Sequence, residues 1–507
     1  MVQGAMTSSH RAWNDWQSHV VEPHKDTCFA ILTSLRQSYP GHVVTVAPDK
    51  TGLTKFAEAG HAKAVLDEED ERFYFWRTYV PADRRSSVDS GKLSDEVKFG
   101  KSAYHWDGHD FIVYYADFIV DYVFERRQQY YFILYDRSKT SGEIRPKAVD
   151  DLIATSTKWN EDLHDEIWMY DRESWTKEKK LFRSVQQAKW DDVVLDPSMK
   201  KDLIDDVEGF FNNEAEYREF SVPFKRGVIL HGPPGNGKSL CIKALMNSLL
   251  TRPEPIPTLY VKSFQGCHEE WYNIREVFEK ARNTTPCLLI FEDLDSMVTE
   301  KVRSFFLNEV DGLEDNDGLM IIGSTNYLEK LDPSITKRPS RFDRKFHFSL
   351  PGRSERVLYA EYWRGKLAKN QNIEFPEGLA EAIASITDGF SFAYMKEVFI
   401  TSLLSIVGAR RMGAEEPEGL DEVNGDVDGK VNGHVEGASN DYQDVLLWRT
   451  VRKQVNILRR EMKEADEGTD GNKAKDADGN SKNEEEESVK ALVKNFASLL
   501  AKYSVGE

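Results

Sequence analysis

A short glycine-rich stretch, residues 232–239, constrains this chain more than any other part of its sequence. It reads GPPGNGKS and fits the pattern G-x-x-x-x-G-K-[ST] of a phosphate-binding loop. An apolar run, residues 227–231, precedes it, and a helical pattern, residues 240–246, follows it. Glycines let the backbone wrap an anion, and the N–H groups at the start of a helix favour phosphate. The residues that we assign to nucleotide binding are Gly232, Pro233, Pro234, Gly235, Asn236, Gly237, Lys238, Ser239 and Leu240.

Two side chains of this loop have distinct predicted roles. We expect Lys238 to reach the β- and γ-phosphates of a nucleotide, and we expect Ser239 to offer its hydroxyl to Mg²⁺. The loop therefore predicts ATP and Mg²⁺ as ligands.

Two adjacent carboxylates follow the strongly apolar stretch 287–291. A buried strand of a parallel sheet delivers such acids to the edge of the sheet where ligands bind. We predict that Glu292 holds Mg²⁺, directly or through water, and that Asp293 orients and deprotonates the attacking water. For Asp295, which follows two residues later, capping of the next helix is the alternative to a role in this site.

Five strand-like stretches alternate with helical patterns in the middle of the chain. The fourth stretch runs into the polar segment 324–326, where Asn326 is predicted to position the water or the γ-phosphate. The five predicted strands are residues 227–231, 258–262, 287–291, 319–323 and 345–350.

Composition shifts along the chain predict several domains, since 507 residues exceed what one hydrophobic core usually holds. Residues 354–368, 377–386, 391–409 and 441–465 show the patterns of four lid helices. Residues 466–487 form a polar tract that we expect to be a disordered linker. The predicted division is a poorly defined segment 1–71, a β-rich α+β module with a helical linker 72–188, an α/β domain 189–352, a helical lid 353–465 with a disordered acidic insertion 411–440, the linker 466–487 and an amphipathic helix 488–507. That last helix either packs on the lid or docks a partner.

The β-rich module contains aromatic and β-branched runs that predict strands. Residues 105–110 read HWDGHD, which we interpret as a tight turn between two strands, with a metal site as the alternative. We expect the aromatic side chains to form a core rather than a platform for nucleic-acid bases.

Charge and cysteine content limit the classes of function. A net charge of −19 argues against nucleic acid as a partner, because phosphate contacts need a cationic surface. The four cysteines lack C-x-x-C spacing, which indicates reduced thiols in an intracellular protein. No apolar run is long enough to span a bilayer. We therefore expect a cytoplasmic or nuclear location, with a mitochondrial one as the alternative.

The loop, the paired acids, Asn326 and the segment RPSRFD at 338–343 occur in an order and spacing that resembles AAA-family ATPases. Within that family, the chain is most similar to the mitochondrial Bcs-type translocase chaperones and their fungal relatives. The similarity rests on the segment 194–197 (VLDP), on the order Glu292 then Asp293, and on residues 325–333 (TNYLEKLDP).

The resemblance implies a P-loop NTPase fold, with a five-stranded parallel sheet, a helical lid and assembly into a homo-oligomeric ring, a hexamer or heptamer. It implies that Arg338 and Arg341 are arginine fingers that enter the neighbouring subunit's site. A surface salt-bridge pair is the alternative for these two arginines.

The chain departs from this family in three places, the smallest of which is Ser340 in place of the usual glycine. Bcs-type proteins carry an N-terminal membrane span, and none is readable here. The aromatic pore loop of threading AAA motors is not evident either, and residues 264–266 (FQG) are only a stand-in for it.

These observations favour an Mg²⁺-dependent ATPase that remodels or translocates a protein partner. The β-rich module is expected to select this protein client, whose identity the sequence does not indicate. The alternatives are a protein whose assembly is gated by nucleotide with little turnover and, with less support, a motor linked to nucleic acid.

Overall fold

The computed structural model describes residues 26–70, 73–81, 91–121, 126–140, 142–266, 269–311, 315–338, 341–370, 372–411 and 442–473. The chain divides into two compact units, Met1–His164 and Asp165–Glu507. The predicted acidic insertion beyond Arg411, the end of the predicted linker and the predicted helix 488–507 lie outside the described residues.

The first unit is built on a six-stranded antiparallel sheet in the order β1-β6-β5-β4-β2, with β3 also pairing with β4. Side chains on both faces of this sheet are buried, because the consecutive residues 131–135 alternate between two hydrophobic clusters. Its elements are α1 Thr27–Ser38, β1 His42–Pro48, α2 Leu53–Glu58, β2 Lys63–Leu66, β3 Tyr74–Val80, β4 Lys92–Trp106, β5 His109–Asp121, β6 Arg126–Asp136 and α3 Lys147–Glu161.

The predicted boundary at residue 71 is wrong, because strands from both sides of it share this sheet. The β1 strand pairs with β6 in the register Val44 with Leu134, and both side chains are buried. The β2 strand pairs with β4 in the same way, with Val65 opposite Ala103. Pairing partners so far apart in sequence leave no local signal, so the segment looked undefined until the sheet was known.

The turn between β4 and β5 confirms the interpretation of residues 105–110. Asp107 and Gly108 both have positive φ, 47° and 75°, as a two-residue hairpin turn requires. His105 Nδ1 lies 2.8 Å from Asp110 Oδ1, and His109 Nδ1 lies 2.8 Å from the Tyr135 hydroxyl. Among the residues that the structure describes, no group of three or more His, Cys, Asp or Glu side chains is arranged to hold a metal.

The second unit contains a seven-stranded sheet in the order β13-β9-β12-β11-β10-β7-β8, with helices on its two faces and a helical lid. Its elements are β7 Ile167–Asp171, β8 Ser174–Glu178, α4 Lys179–Gln186, α5 Pro197–Asn212, α6 Glu214–Glu219, β9 Lys225–His231, α7 Lys238–Leu250, β10 Thr258–Val261, α8 Glu270–Arg282, β11 Cys287–Phe291, α9 Leu294–Met297, α10 Arg303–Asp311, β12 Leu319–Thr325, α11 Pro333–Thr336, β13 Arg344–His347, α12 Arg353–Leu367, α13 Leu379–Ile386, α14 Phe392–Arg411 and α15 Leu446–Lys473.

The five predicted parallel strands are present as β9 to β13, and the parallel sheet is confirmed. The strands β9 to β12 are largely buried on both faces, which explains why they read as continuous apolar runs, whereas β13 is an edge strand in which only Phe346 is buried. All five side chains of β11 are buried, and so are all seven of β12.

The sheet extends beyond the prediction by the hairpin β7–β8. The β7 strand pairs in parallel with β10, placing Met169 opposite Tyr260, while β8 returns antiparallel. The predicted helical linker up to residue 188 is therefore wrong in this stretch, and the division of the chain falls after His164. Tyr170 is only 1% exposed, because burial against the rest of the sheet outweighs the polar, helix-prone composition.

The lid contains the four predicted helices, here α12 to α15. Trp448 is 1% exposed, and the Trp363 and Phe399 rings stack with centroids 5.0 Å apart. The α15 helix continues to Lys473, past the predicted start of a polar linker at residue 466. Each added residue gains one hydrogen bond once a helix has formed, so the helix does not end where its apolar face ends.

Among the described helices, one is long and apolar enough to cross a membrane by length and composition, namely α14. Met395, Val398, Phe399 and Ile406 on this helix are buried in the core of the lid. Leu404 and Val407 on the same helix are 64% and 48% exposed, so the packing of α14 accounts for only part of its apolar composition.

Candidate active site

The glycine-rich loop lies between the end of β9 and the start of α7, as predicted. Gly232 has a φ of 134°, and a Cβ placed there would lie 2.2 Å from the Phe348 carbonyl oxygen. Gly237 has a φ of 93° and begins α7 as its N-cap. Only glycine combines such conformations with this close approach, so the loop presents backbone to a ligand at the N-terminus of a 13-residue helix.

The Lys238 side chain is folded inside this loop. Its Nζ donates to the Gly232 carbonyl at 2.6 Å and to the Pro233 carbonyl at 3.0 Å, and the residue is 8% exposed. Burial lowers the pKa of Lys238, while the carboxylates of Asp293 and Asp295 oppose that shift. Hydrogen bonds and facing carboxylates therefore hold the ammonium at the centre of the site.

A cleft of about 460 Å³ opens beside the loop and brings most of the predicted residues together. Three predicted loop residues, Gly232, Pro233 and Asn236, do not line it, and Asn236 is only 1% exposed. The lining residues are Asp192, Val193, Val194, Pro234, Gly235, Gly237, Lys238, Ser239, Leu240, Glu292, Asp293, Ser324, Asn326, Tyr359, Phe392, Ala393 and Lys396.

The two acids that follow β11 occupy different environments. Glu292 Oε2 accepts a hydrogen bond of 2.6 Å from the Tyr260 hydroxyl. Asp293 adopts the left-handed conformation, with φ 53° and ψ 51°, which is uncommon for a residue other than glycine. Such conformations persist where the surrounding structure imposes them, and they cluster at functional sites.

The pKa of Asp293 lies above its usual value. Loss of contact with bulk water is the largest cause, and the neighbouring carboxylates of Glu292 and Asp295 add to it, while Lys238 opposes it. A carboxylate with a raised pKa accepts a proton more readily, which suits the base predicted at this position.

The ends of β11 and β12 are tied together by side chains. Thr325 Oγ1 donates to Asp295 Oδ1 at 2.6 Å and accepts from the Tyr327 N–H at 3.0 Å. Asp295 therefore does not cap a helix; it anchors the strand end next to Asn326. The Asp293 N–H also donates to Ser324 Oγ at 3.4 Å.

The two predicted finger arginines lie outside the cleft and differ from each other. Arg341 is 7% exposed, and its Nε and one terminal nitrogen donate to the two carboxylate oxygens of Asp311 at 2.8 and 2.6 Å. Its other terminal nitrogen donates to the Ser334 carbonyl at 2.5 Å. Arg338 is 60% exposed and contacts Asp311 with one nitrogen at 3.2 Å. The structure thus favours a structural role for Arg341, whereas the finger role of Arg338 stays a prediction.

The proposed stand-in for a pore loop is wrong. Phe264 is 3% exposed and belongs to the core on one face of the sheet. Its carbonyl accepts a hydrogen bond of 2.7 Å from Asn273 Nδ2, which holds this segment against α8. An aromatic side chain buried in this way is not available to grip a partner.

Sequence reasoning missed several residues of the cleft. Lys396 reaches it from the lid helix α14, and Tyr359 and Phe392 form an aromatic wall. Tyr260 lies one strand away from Glu292 and contacts it from there. No local pattern marks these residues, because their role depends on strand pairing and on where the lid packs.

Comparison with known proteins agrees with this geometry. The family described as "ATPase family associated with various cellular activities (AAA)" matches residues 228–350. This stretch is an AAA ATPase domain. The AAA domain begins inside β9, ends just after β13 and includes the paired acids, Asn326 and both arginines.

Two curated relatives resemble part of this chain. One is the "Cell division cycle protein 48 homolog" of Archaeoglobus fulgidus, 32% identical over 235 residues, which cover 43% of this chain and 31% of the relative. The other is the "ATPase histone chaperone abo1" of Schizosaccharomyces pombe, 26% identical over 243 residues, which cover 43% of this chain and 20% of the relative. The chain thus spans less than a third of the length of these relatives.

The side chains of the cleft in the AAA domain fit a magnesium nucleotide. Ser239 offers a hydroxyl, and Glu292 and Asp293 offer carboxylates, which are the hard oxygen ligands that Mg²⁺ prefers. Such sites use one or two protein ligands together with phosphate oxygens and water, so a cage of three acids is not needed.

Proposed function

We propose that this chain is an Mg²⁺-dependent ATPase that uses hydrolysis to remodel a protein partner. The observation that carries the proposal is that Lys238, Ser239, Glu292, Asp293 and Asn326 line one cleft, although they come from three separate strand ends. A phosphate-binding loop, an acid pair and a polar strand end together form a hydrolytic set rather than a binding site alone.

In this proposal, each side chain acts on one part of the nucleotide. The loop amides and Lys238 bind the phosphates. Ser239 and Glu292 hold Mg²⁺, which when bound offsets negative charge on the phosphate oxygens. Asp293 accepts the proton of the attacking water, and Asn326 orients that water or the γ-phosphate. The aromatic wall of Tyr359 and Phe392 offers stacking area for the base.

A pair of variants tests this assignment. Lys238→Ala should abolish binding of a fluorescent ATP analogue, because it removes the cation of the loop. Asp293→Asn should bind that analogue with unchanged affinity and lose turnover by about a hundred-fold or more, as general bases contribute about 10² to 10⁴ in rate. Normal hydrolysis by Asp293→Asn would show that another group is the base.

We further propose that the active form is a ring of identical subunits, a hexamer or heptamer. The support is that Arg338 stays outside its own cleft and is 60% exposed, so it is available to a neighbouring copy. Turnover per subunit should then rise with protein concentration and reach a plateau where light scattering detects the ring. Turnover that stays flat over that range would argue for a protein that works as a monomer.

A chaperone-like role is supported by the printed name of one relative, a histone chaperone ATPase, and by the β-rich first unit as a candidate binder of protein clients. The finer resemblance to Bcs-type translocases, and a cytoplasmic or nuclear location with a mitochondrial alternative, are parts of the proposal. Protein stimulation of turnover, measured against equal additions of DNA, tests the client class. Stimulation by DNA alone would contradict it.

A further inference from the structure

One hydrogen bond links the acid pair to a strand that has no other part in the cleft. The Tyr260 hydroxyl donates to Glu292 Oε2 at 2.6 Å. Tyr260 does not line the cleft, whereas Glu292 does. Any effect of Tyr260 on chemistry must therefore pass through Glu292.

Strand register explains how this contact arises. In the parallel pair β10–β11, Tyr260 lies opposite Ile290, and both pack against the same core. Side chains two residues apart on a strand share a face, so Glu292 points to the side of the sheet that Tyr260 faces. The phenol ring reaches from the position opposite Ile290 to Glu292, two residues further along, and contacts its carboxylate just after the end of β11.

The hydrogen bond from Tyr260 restricts the position of the Glu292 carboxylate. After the backbone has placed its Cβ, a glutamate still has three rotatable side-chain bonds, so its carboxylate needs a further contact to stay in one place. A phenol hydroxyl carries a proton at neutral pH and a carboxylate oxygen can only accept, so the Tyr260 hydroxyl donates to Glu292 Oε2. Oε2 is thereby engaged, while Oε1 is left for a metal or a metal-bound water.

We propose that Tyr260 is a positioning residue that holds the Glu292 carboxylate for Mg²⁺. This inference rests on the proposed function, in which Glu292 holds the metal. It adds a fourth strand, β10, to β9, β11 and β12, whose ends build the site. The test must therefore measure how turnover depends on the Mg²⁺ concentration, rather than turnover at one concentration.

The test is Tyr260→Phe, which removes only the hydroxyl. A hydrogen bond to a charged group corresponds to about a ten-fold change in an equilibrium constant or more. We expect the Mg²⁺ concentration at half-maximal turnover to rise about ten-fold in this variant. Binding of a fluorescent ATP analogue in the presence of EDTA should stay within about two-fold of the wild type, since the loop is untouched.

Tyr170→Phe is the matched control. Tyr170 lies on the adjacent strand β7, in register with Val261, and is 1% exposed. Its hydroxyl donates at 3.1 Å to Asn273 Oδ1, which is not part of the cleft. This variant also loses a buried phenol hydrogen bond but should leave the Mg²⁺ dependence unchanged. An equal shift in both variants, or no shift in Tyr260→Phe, would overturn the positioning role.

A Glu292→Gln background separates this proposal from the proposed function. If Glu292 holds the metal and Tyr260 acts through it, adding Tyr260→Phe to Glu292→Gln should change the Mg²⁺ dependence by less than two-fold. A full ten-fold further shift in that background would refute the route through Glu292. If Glu292→Gln alone leaves the Mg²⁺ dependence at the wild-type value, the metal assignment itself fails.

Discussion

Arg338 and Arg341 are three residues apart in a motif where both are predicted to be fingers, yet their surroundings predict opposite results for replacement by alanine. Arg341 makes three hydrogen bonds, two of them to the Asp311 carboxylate, and is 7% exposed. Arg338 is 60% exposed and makes one contact with the same carboxylate. We expect Arg341→Ala to destabilise the fold and Arg338→Ala to leave it intact.

The expected size of the effect follows from this burial. Breaking a fully buried ion pair costs about 3–5 kcal/mol, and breaking an exposed one costs about 0–1 kcal/mol. Asp311 is itself 29% exposed, so it recovers some hydration when Arg341 is removed. We therefore expect Arg341→Ala to cost about 2–4 kcal/mol, and Arg338→Ala to cost less than about 1 kcal/mol.

Thermal melting followed by circular dichroism measures this difference. About 1 kcal/mol corresponds to about 2–4 °C in Tm for a domain of this size, so Arg341→Ala should melt about 4–16 °C lower than the wild type. A double variant with Asp311→Asn should lose less than the sum of the two single variants, because the partners share one interaction. Turnover measured well below the melting temperature should be lost in Arg338→Ala, although that variant stays folded.

Two results would refute this reasoning. If Arg341→Ala melts within about 2 °C of the wild type, the buried pair contributes nothing measurable. If Arg341→Ala is folded at the assay temperature and binds ATP, but its turnover is lost as completely as in Arg338→Ala, then Arg341 also acts on the nucleotide. The hydrogen bond from Arg341 is the main cause of the lowered pKa of Asp311. The pair should therefore stabilise the fold above about pH 4, and this stabilisation should be lost in stronger acid.

Two further predictions concern the loop. Gly235→Ala should lower ATP affinity, because Gly235 has a φ of 79° and a Cβ there would lie 2.6 Å from Ala393 Cβ on the lid. Isothermal titration calorimetry measures this affinity. An unchanged affinity would mean that the lid moves aside at little energetic cost. The pKa of His231 is lowered by burial, by the stacked His347 ring and by the cations Lys345 and Lys238. The unfolded chain therefore binds a proton at this histidine more readily, and the fold should lose stability as the pH falls below about 6.5. Between pH 7.5 and 5.5, the Tm of His231→Asn should fall less than the Tm of the wild type. Equal falls in Tm would show that His231 is not the source of the pH dependence.

Much of the AAA domain was predictable from local patterns. The glycine-rich loop could be placed because a positive φ and a close backbone approach demand glycine at particular positions, such as Gly232 and Gly237. Four of the five parallel strands, β9 to β12, could be placed because strands buried on both faces are largely apolar. The four lid helices followed from their apolar periodicity.

The remaining parts depended on contacts between residues far apart in sequence. Nothing near β1 indicates that it pairs with β6, and nothing in β7 indicates that it extends the sheet of the AAA domain. The same holds inside the site, where Tyr260 meets Glu292 only because β10 and β11 pair in one particular register.

By itself, the sequence determined which backbone segments can hold phosphate and which strand ends carry acids, because those properties belong to a few neighbouring residues. The tertiary structure decided which strands join each sheet, which carboxylate a tyrosine holds and which of two similar arginines is buried. The physical reason is that register and burial are set by the whole fold. Arg338 and Arg341 show this most clearly, since identical side chains differ only in what packs around them.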